Sequence, residues 1–244
     1  MKKTLFLSIF IILFSLQLFG KTTIKKIYVA TDHWEELTNK DGSGLYFDII
    51  SLIYSPLGIK VKVYIVPYIR SSLMVENKRA DLWLGSYVDE ENFALYPKYH
   101  FDEDVITAMF KKSKFKNFKG ISSLKNKNIC WIRGYDIDEY LDVQMKVQER
   151  NCYQSLLSSI KKDRCDVYLD DYDDMQKAIK KFNFNNKNYF FRKIKSLKLY
   201  PAFRKDSRGE ELRAIWDRRM KKFIDNGILK ELYKNYDYLK GYLY

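Results

Sequence analysis

The sequence has only two histidines and three cysteines in 244 residues, and one long hydrophobic run. His33 and His100 stand far apart, and no Cys or His spacing matches a metal site. A second apolar stretch of membrane-spanning length is missing, which argues against an integral membrane protein. No cysteine stands at the end of the first run, so no lipid-attachment site is expected. No grouping of acids, histidines or nucleophiles is specific enough to name a reaction.

What is present begins with "MKKTLFLSIFIILFSLQLFG": Lys2 and Lys3, an apolar run from about Leu5 to Phe14, and a softer end. Residues 1–20 read as an export signal cleaved near Gly20. Its removal takes two of the 44 basic residues and none of the 31 acidic ones, which leaves a net charge of +11. Such a balance permits binding to nucleic acid or anionic lipid. The lysines are nevertheless scattered over "KKSKFKNFK", "KNKN" and "KKF" and do not line one helix, so they read as a solvated surface. Export and scatter together argue against a nucleic-acid partner. The remaining chain of about 224 residues suits one large domain or two small ones, and 20 Tyr and 16 Phe supply ample core material.

Three cysteines are an odd set for an oxidising compartment. Cys152 and Cys165 fall at opposite ends of the predicted helix "CYQSLLSSIKK", roughly 15 Å or more apart by helix rise, which argues against a bridge between them. Cys130, in a predicted strand, reads as a small buried hydrophobe, with a Cys130–Cys152 bridge as the alternative.

Strands alternate with helices along the chain, the grammar of parallel sheets covered by helices. "KKIYVAT", "VKVYIV" and "DLWLGS" read as strands, with helices at "LYFDIISLIYSPLG" and "IRSSLMVENK" between them. After the extended "DEDVITAMFKKS" and the polar "KFKNFKGISSLKNKN", the pattern restarts. It runs through the strand "NICWI", a turn at Gly134, a helix from about Ile137, the strand "VQMKVQ", the helix "CYQSLLSSIKK", the strand "DVYLD" and the helix "YDDMQKAIKK". "NYFFRKI" and "LKLYPAFRK" are extended, and the end is helical, with Leu212, Ile215, Trp216, Met220 and Phe223 forming a core-facing stripe. Two similar α/β lobes in tandem are expected.

Several of these patterns, in order, resemble the family 3 solute-binding proteins, the extracytoplasmic receptors of polar amino acid ABC transporters. "YVATD" followed by "GSGLYFDII" resembles the family's opening strand and first helix; "KRADLWLGSY" and "KDRCDVYLDD" resemble the strands that end at the ligand. "FIDNGILKELYKNY" resembles the C-terminal helix. The resemblance implies a type II periplasmic-binding-protein-like fold, with lobe 1 formed by residues 21–107 plus 204–244 and lobe 2 by residues 108–203. Two crossing hinge strands, "DVITAMFKK" and "LKLYPAFRK", would join them. It further implies a periplasmic monomer that binds a small-molecule solute without chemistry or cofactor and works with an inner-membrane ABC permease. A membrane sensor is the alternative partner, and a dehydratase-like enzyme on the same scaffold is the less favoured function.

Ligands of open α/β sheets sit beyond the carboxyl ends of strands, which directs attention to the residues there. Asp32 either contacts a ligand or caps its turn; Trp34 either walls the ligand or packs on its own loop. Arg70, at the start of a helix where a cation opposes the dipole, is explained by a ligand, by Asp89, or by a stem covering Trp83. In "GSYVDEEN", Gly85, Ser86, Tyr87 and Asp89 occupy a strand end, while Glu90 and Glu91 read as a solvated helix start. Amino acid binders carry "T-x-x-R" here, whose Arg forks onto the ligand carboxylate; this chain has Asp89 and Asn92 in those places. In the second lobe the family's "G-T/S-T" turn becomes Gly134, Tyr135 and Asp136, preceded by Arg133. Asp136 reads as a helix N-cap whose charge would repel an anion unless Arg133 compensates. The acid that relatives aim at the ligand's amino group is matched by Asp171, with Asp170 beside it. The expected ligand is therefore cationic, amine-bearing or neutral, held by Trp34, Tyr87 and Tyr135.

Overall fold

A computed structural model describes residues 23–115, 117–238 and 244. The expected export signal, residues 1–20, lies outside the described residues. Among the described residues no helix is long and apolar enough to cross a membrane.

The chain forms β1 (Lys26–Thr31), α1 (Leu45–Tyr54), β2 (Lys60–Ile65), α2 (Tyr68–Glu76), β3 (Leu82–Ser86), β4 (Ala94–Leu95) and β5 (Asp102–Lys111). It continues with β6 (Asn128–Ile132), β7 (Lys146–Arg150), α3 (Tyr153–Lys161), β8 (Val167–Asp171), α4 (Tyr172–Lys181) and β9 (Tyr189–Arg204). Two helices, α5 (Ser207–Asp225) and α6 (Ile228–Asn235), follow.

In the first lobe β1 lies between β2 and β3, parallel to both. In the second β6 lies between β7 and β8, again parallel. Two strands belong to both lobes. β5 runs antiparallel to β9 from Asp102↔Leu199 to Lys111↔Tyr189, and Ile106–Met109 of β5 pair with β8. Tyr200, Ala202 and Phe203 of β9 then pair with β3, and Phe203 and Arg204 with β4. The result is a two-lobed α/β fold in which the parallel strands of each lobe end toward the crossing pair.

Local chemistry sets these elements. Asp171 ends β8 and caps α4, accepting from the N–H groups of Asp173 (2.8 Å) and Asp174 (3.3 Å). Asp173 and Asp174 in the first turn and Lys180 and Lys181 in the last complement the helix dipole. In α5 the stripe Leu212, Ile215, Trp216, Met220 and Phe223 is buried, and the Trp216 indole donates to the Tyr99 carbonyl at 2.8 Å. That stripe packs with Ile27, Leu82 and Phe101 in the first core, while Ile106, Phe110, Trp131 and Leu169 form the second.

Three expectations are corrected. The predicted helix from Ile137 is a single 3-10 turn, Ile137–Tyr140. It buries Ile137 and Leu141 and then returns to extended chain, so no longer helix is needed for the apolar contact. Asp136 precedes that turn in a left-handed conformation (φ 41°) and makes no side-chain capping bond. The extended "NYFFRKI" and "LKLYPAFRK" are as expected, and they join in one 16-residue strand. Cys130 is neither free nor bonded to Cys152: it forms a disulfide with Cys165, their Cα atoms 6.0 Å apart, and Cys152 is an exposed free thiol. The pairing follows from β6 lying beside β8, with Ile129 opposite Val167, which brings Cys165 to Cys130.

Candidate functional site

A cavity of about 60 Å³ lies between the lobes. One water needs about 10–15 Å³ of such space, so there is room for a few waters or one small solute. Lobe 1 contributes Trp34, Tyr46, Tyr68, Gly85, Tyr87 and Glu90; the crossing strands contribute Asp104, Ile106 and Leu199. Lobe 2 contributes Tyr135, Ile137, Asp170, Asp171, Asp173, Asp174 and Lys177, and Tyr238 closes one side.

The aromatic walls are built by small residues that let them approach. Gly85 has φ +84°, and a Cβ there would lie 2.7 Å from the Trp34 ring, so only glycine lets the indole lie on the end of β3. Trp34 meets Tyr46 edge-on at 6.2 Å and Tyr68 at 6.5 Å. Tyr68 of lobe 1 in turn meets Tyr135 of lobe 2 edge-to-face at 6.3 Å. Gly134, φ +81°, sits so close to α2 that a Cβ would fall 2.4 Å from Ile69 Cγ1. Lys177 of α4 donates to the Glu35 carbonyl at 3.1 Å. Contacts of this kind across the cleft describe a closed pair of lobes.

Among the described residues, six carboxylates line the cavity and Lys177 is the only cation that does. Glu90 accepts from the Tyr68 hydroxyl (2.7 Å), Ser86 Oγ (2.6 Å) and the Tyr87 N–H (3.0 Å). Asp104 accepts from the Tyr87 hydroxyl at 2.7 Å. Asp170, 1% exposed, accepts from the Tyr168 hydroxyl and from the Asp171 N–H at 2.9 Å. Besides capping α4, Asp171 reaches across to accept from the Val105 N–H of β5 at 2.8 Å. Burial, then repulsion from a neighbouring acid, raises several of these groups: Asp104, beside Asp171, and Asp170, beside Asp174, are held well above the usual carboxylate range. Burial and Asp171 push Asp174 up to about 6, and burial raises Glu90. At an effective dielectric of about 20, two charges about 6 Å apart repel by about 3 kcal/mol, so the cavity favours a cation strongly over an anion.

Of the residues singled out in the sequence, Trp34, Gly85, Tyr87, Tyr135 and Asp171 line this cavity. The others do not line it. Asp32 accepts from the His33 N–H (2.7 Å) and from the Tyr68 N–H (3.1 Å), so it satisfies the start of α2. Ser86 is buried and holds Glu90. Arg70, Asp89, Asn92 and Asp136 are exposed; the Asn92 carbonyl accepts from Lys205 Nζ at 2.9 Å. Arg133 is exposed and pairs with Glu149 at 3.5 Å, and Glu149 also accepts from the Gly134 N–H at 2.9 Å.

Sequence reasoning passed over Glu90, which is a wall of the cavity and no solvated helix start, as well as Asp104, Asp173, Asp174, Tyr46, Tyr68 and Tyr238. The run "DDYDD" at the end of β8 was a legible signal for Asp173 and Asp174. Asp104 had none, because it lies within a crossing strand and reaches the cleft only through the fold.

The sequence matches no protein-family model and no curated protein. Solved structures of similar fold are numerous. The GluR0 ligand-binding core from Nostoc punctiforme, in complex with L-glutamate, aligns with a TM-score of 0.68 at 13% identity, over 87% of this chain and 99% of that one. ArgBP from T. maritima aligns with a TM-score of 0.68 at 15% identity, over 87% and 95%. An amino acid ABC transporter substrate-binding protein, AbpA from Streptococcus pneumoniae, bound to L-arginine, aligns with a TM-score of 0.64 at 16% identity, over 87% and 94%. At these identities the likeness establishes the two-lobed, periplasmic-binding-protein-like fold.

Proposed function

We propose that this chain is an extracytoplasmic solute-binding protein that closes its two lobes on a small cationic, amine-bearing solute and presents it to a membrane permease. The observation that carries the reading is the composition of the interlobe cavity: among the described residues, six carboxylates against one lysine, within aromatic walls. An ammonium group there relieves the repulsion among the acids and stacks on ring faces. A free α-carboxylate would meet the same acids, and neither arginine singled out in the sequence lines the cavity: Arg133 pairs with Glu149 and Arg70 is exposed.

The mechanism is a population shift. Ligand contacts made to both lobes at once favour the closed arrangement, and the two crossing strands are the elements about which the lobes turn. No bond is made or broken. The fold's occurrence in amino acid transporter substrate-binding proteins supports the transport role, and the amine preference is this chain's own departure from such ligands.

The test is a thermal-shift screen with amines, amino acids, sugars and short peptides, paired with native mass spectrometry of protein purified without removing its cargo. A stabilising response from amines and a cationic cargo are expected. Stabilisation by uncharged or anionic solutes alone would refute the amine reading; no response to any of them, with no cargo, would remove the solute-binding reading itself.

A further inference from the structure

The positive charge that remains after residues 1–20 is unevenly placed. Residues 108–203 hold 21 basic and 11 acidic residues, whereas residues 21–107 together with 204–244 hold 21 and 20. Four of the 11 acids, Asp170, Asp171, Asp173 and Asp174, line the interlobe cavity, so the outside of the second lobe is more basic still. Two segments carry the excess: residues 111–127 have seven lysines, residues 182–198 have five Lys or Arg, and neither has an acid. The fold brings them together. Phe110 pairs with Phe190 and Lys111 with Tyr189 across β5 and β9, and Lys112 Nζ donates to the Lys187 carbonyl at 2.7 Å.

A platform of phenylalanines seats the cations. Phe110 stacks on Phe118 at 4.5 Å and meets Phe115 at 4.8 Å and Phe190 at 6.1 Å. Lys112 Nζ lies 5.3 Å and the Arg192 guanidinium 4.7 Å from the centre of the Phe190 ring, and Lys127 Nζ lies 5.6 Å from that of Phe115. These rings belong to the second core, on the sheet face away from α3 and α4, whose buried residues pack with Met109. Lys112, Lys127 and Arg192 are exposed, and none of the three forms an ion pair among the described residues. At the border Lys111 and Lys114 already meet Asp163 and Asp166. Rings stand between Lys127 and the other two cations, so the charges spread over a face and do not converge on one small anion.

We propose that this face of the second lobe rests on an anionic lipid surface. Spaced cations match a plane of many phosphate headgroups, and half-buried phenylalanines among them suit the boundary between headgroup and acyl chain. The face lies outside the cleft, so its occupant is independent of the solute that the cleft takes.

Co-sedimentation with vesicles is the test. The protein should bind vesicles of phosphatidylcholine containing about one-third phosphatidylglycerol at about 0.05 M NaCl, fail to bind pure phosphatidylcholine, and lose about tenfold or more in affinity by about 0.2 M NaCl. Lys112→Glu, Lys127→Glu and Arg192→Glu together are expected to weaken binding at least about 50-fold. Lys60→Glu, Lys62→Glu and Lys230→Glu change the net charge equally at exposed residues of the first lobe, and together are expected to weaken binding less than about threefold. Circular dichroism melts check that both triple variants fold; where charge reversal unfolds the chain, Lys112→Gln, Lys127→Gln and Arg192→Gln replace it, with an expected loss of at least about tenfold. Equal losses in the lobe 1 and lobe 2 variants would show attraction by net charge alone and overturn the assignment of this face. No binding to the acidic vesicles, or binding to heparin without binding to vesicles, would overturn the lipid as its partner.

Discussion

Asp174→Asn should make the ligand-free protein more stable at neutral pH, although it removes a group from the cavity wall. Asp174 is held at about 6 against an ordinary 3.8, first by burial and then by Asp171. A carboxylate raised in the folded state binds more protons there than in the unfolded chain, so its ionisation opposes folding. The cost is absent below the unfolded value, grows as pH rises, and is complete above about 6. A shift of about two units corresponds to about 3 kcal/mol at pH 7.5 and leaves about 1 kcal/mol at pH 4.5. Asparagine fills the same space without the charge and keeps an oxygen for the Tyr153 hydroxyl, which now bonds Asp174. For a chain of this size each kcal/mol moves Tm by about 2–4 °C, so the ligand-free variant should melt about 6–12 °C higher at pH 7.5 and only about 2–4 °C higher at pH 4.5. Differential scanning calorimetry of the stripped proteins at both pH values measures this directly. A variant less stable at pH 7.5, or a gain that does not shrink as pH falls, would refute the account of an under-compensated acidic cavity. With a cationic ligand the order should reverse, because the wild-type protein then has the counter-charge it lacks when empty.

Asp171→Asn should behave in the opposite way to its neighbour. Both Asp171 oxygens accept backbone N–H groups, so an amide N–H must face one of them, and Tm should fall by the equivalent of about 1–2 kcal/mol while amine affinity drops at least tenfold. Gly134→Ala places a Cβ against Ile69 and should hold the lobes apart; small-angle scattering with ligand should show an open form, and adding Ile69→Ala should restore closure. If the double variant stays open, the contact is not what limits closure. The Cys130–Cys165 bridge closes a separation of 35 residues, so reduction should cost about 4 kcal/mol and be visible as a lower denaturant midpoint. An unchanged midpoint in reductant would show that the bridge does not constrain the unfolded chain.

Much of the architecture was legible because it depends on local periodicity. The alternation in "KKIYVAT" and "VKVYIV", the stripe of α5, and the acid that starts α4 are consequences of neighbours within a few residues. Where the expectation failed, a distant contact decided the outcome. The Ile137 segment needed only one turn to bury Ile137 and Leu141, and Cys130 bonds Cys165 because β6 and β8 are adjacent strands. The site followed the same division: residues at strand ends, such as Gly85, Tyr87 and Asp171, could be located from the ends of their strands, whereas Tyr46 and Asp104 could not.

The sequence alone determined the two-lobed α/β class, the alternation of strands and helices, and the acid at the end of β8. It also has Asp89 and Asn92 where the resemblance expects "T-x-x-R", an expectation that points away from an anion. Only the tertiary structure decided how many acids share one space. Asp104 comes from a crossing strand, Glu90 folds inward onto Ser86 and Tyr68, and Asp170 to Asp174 arrive from the other lobe. Repulsion between such groups depends on distance through space, falling off within a few ångströms of protein and water, and sequence separation carries no information about it.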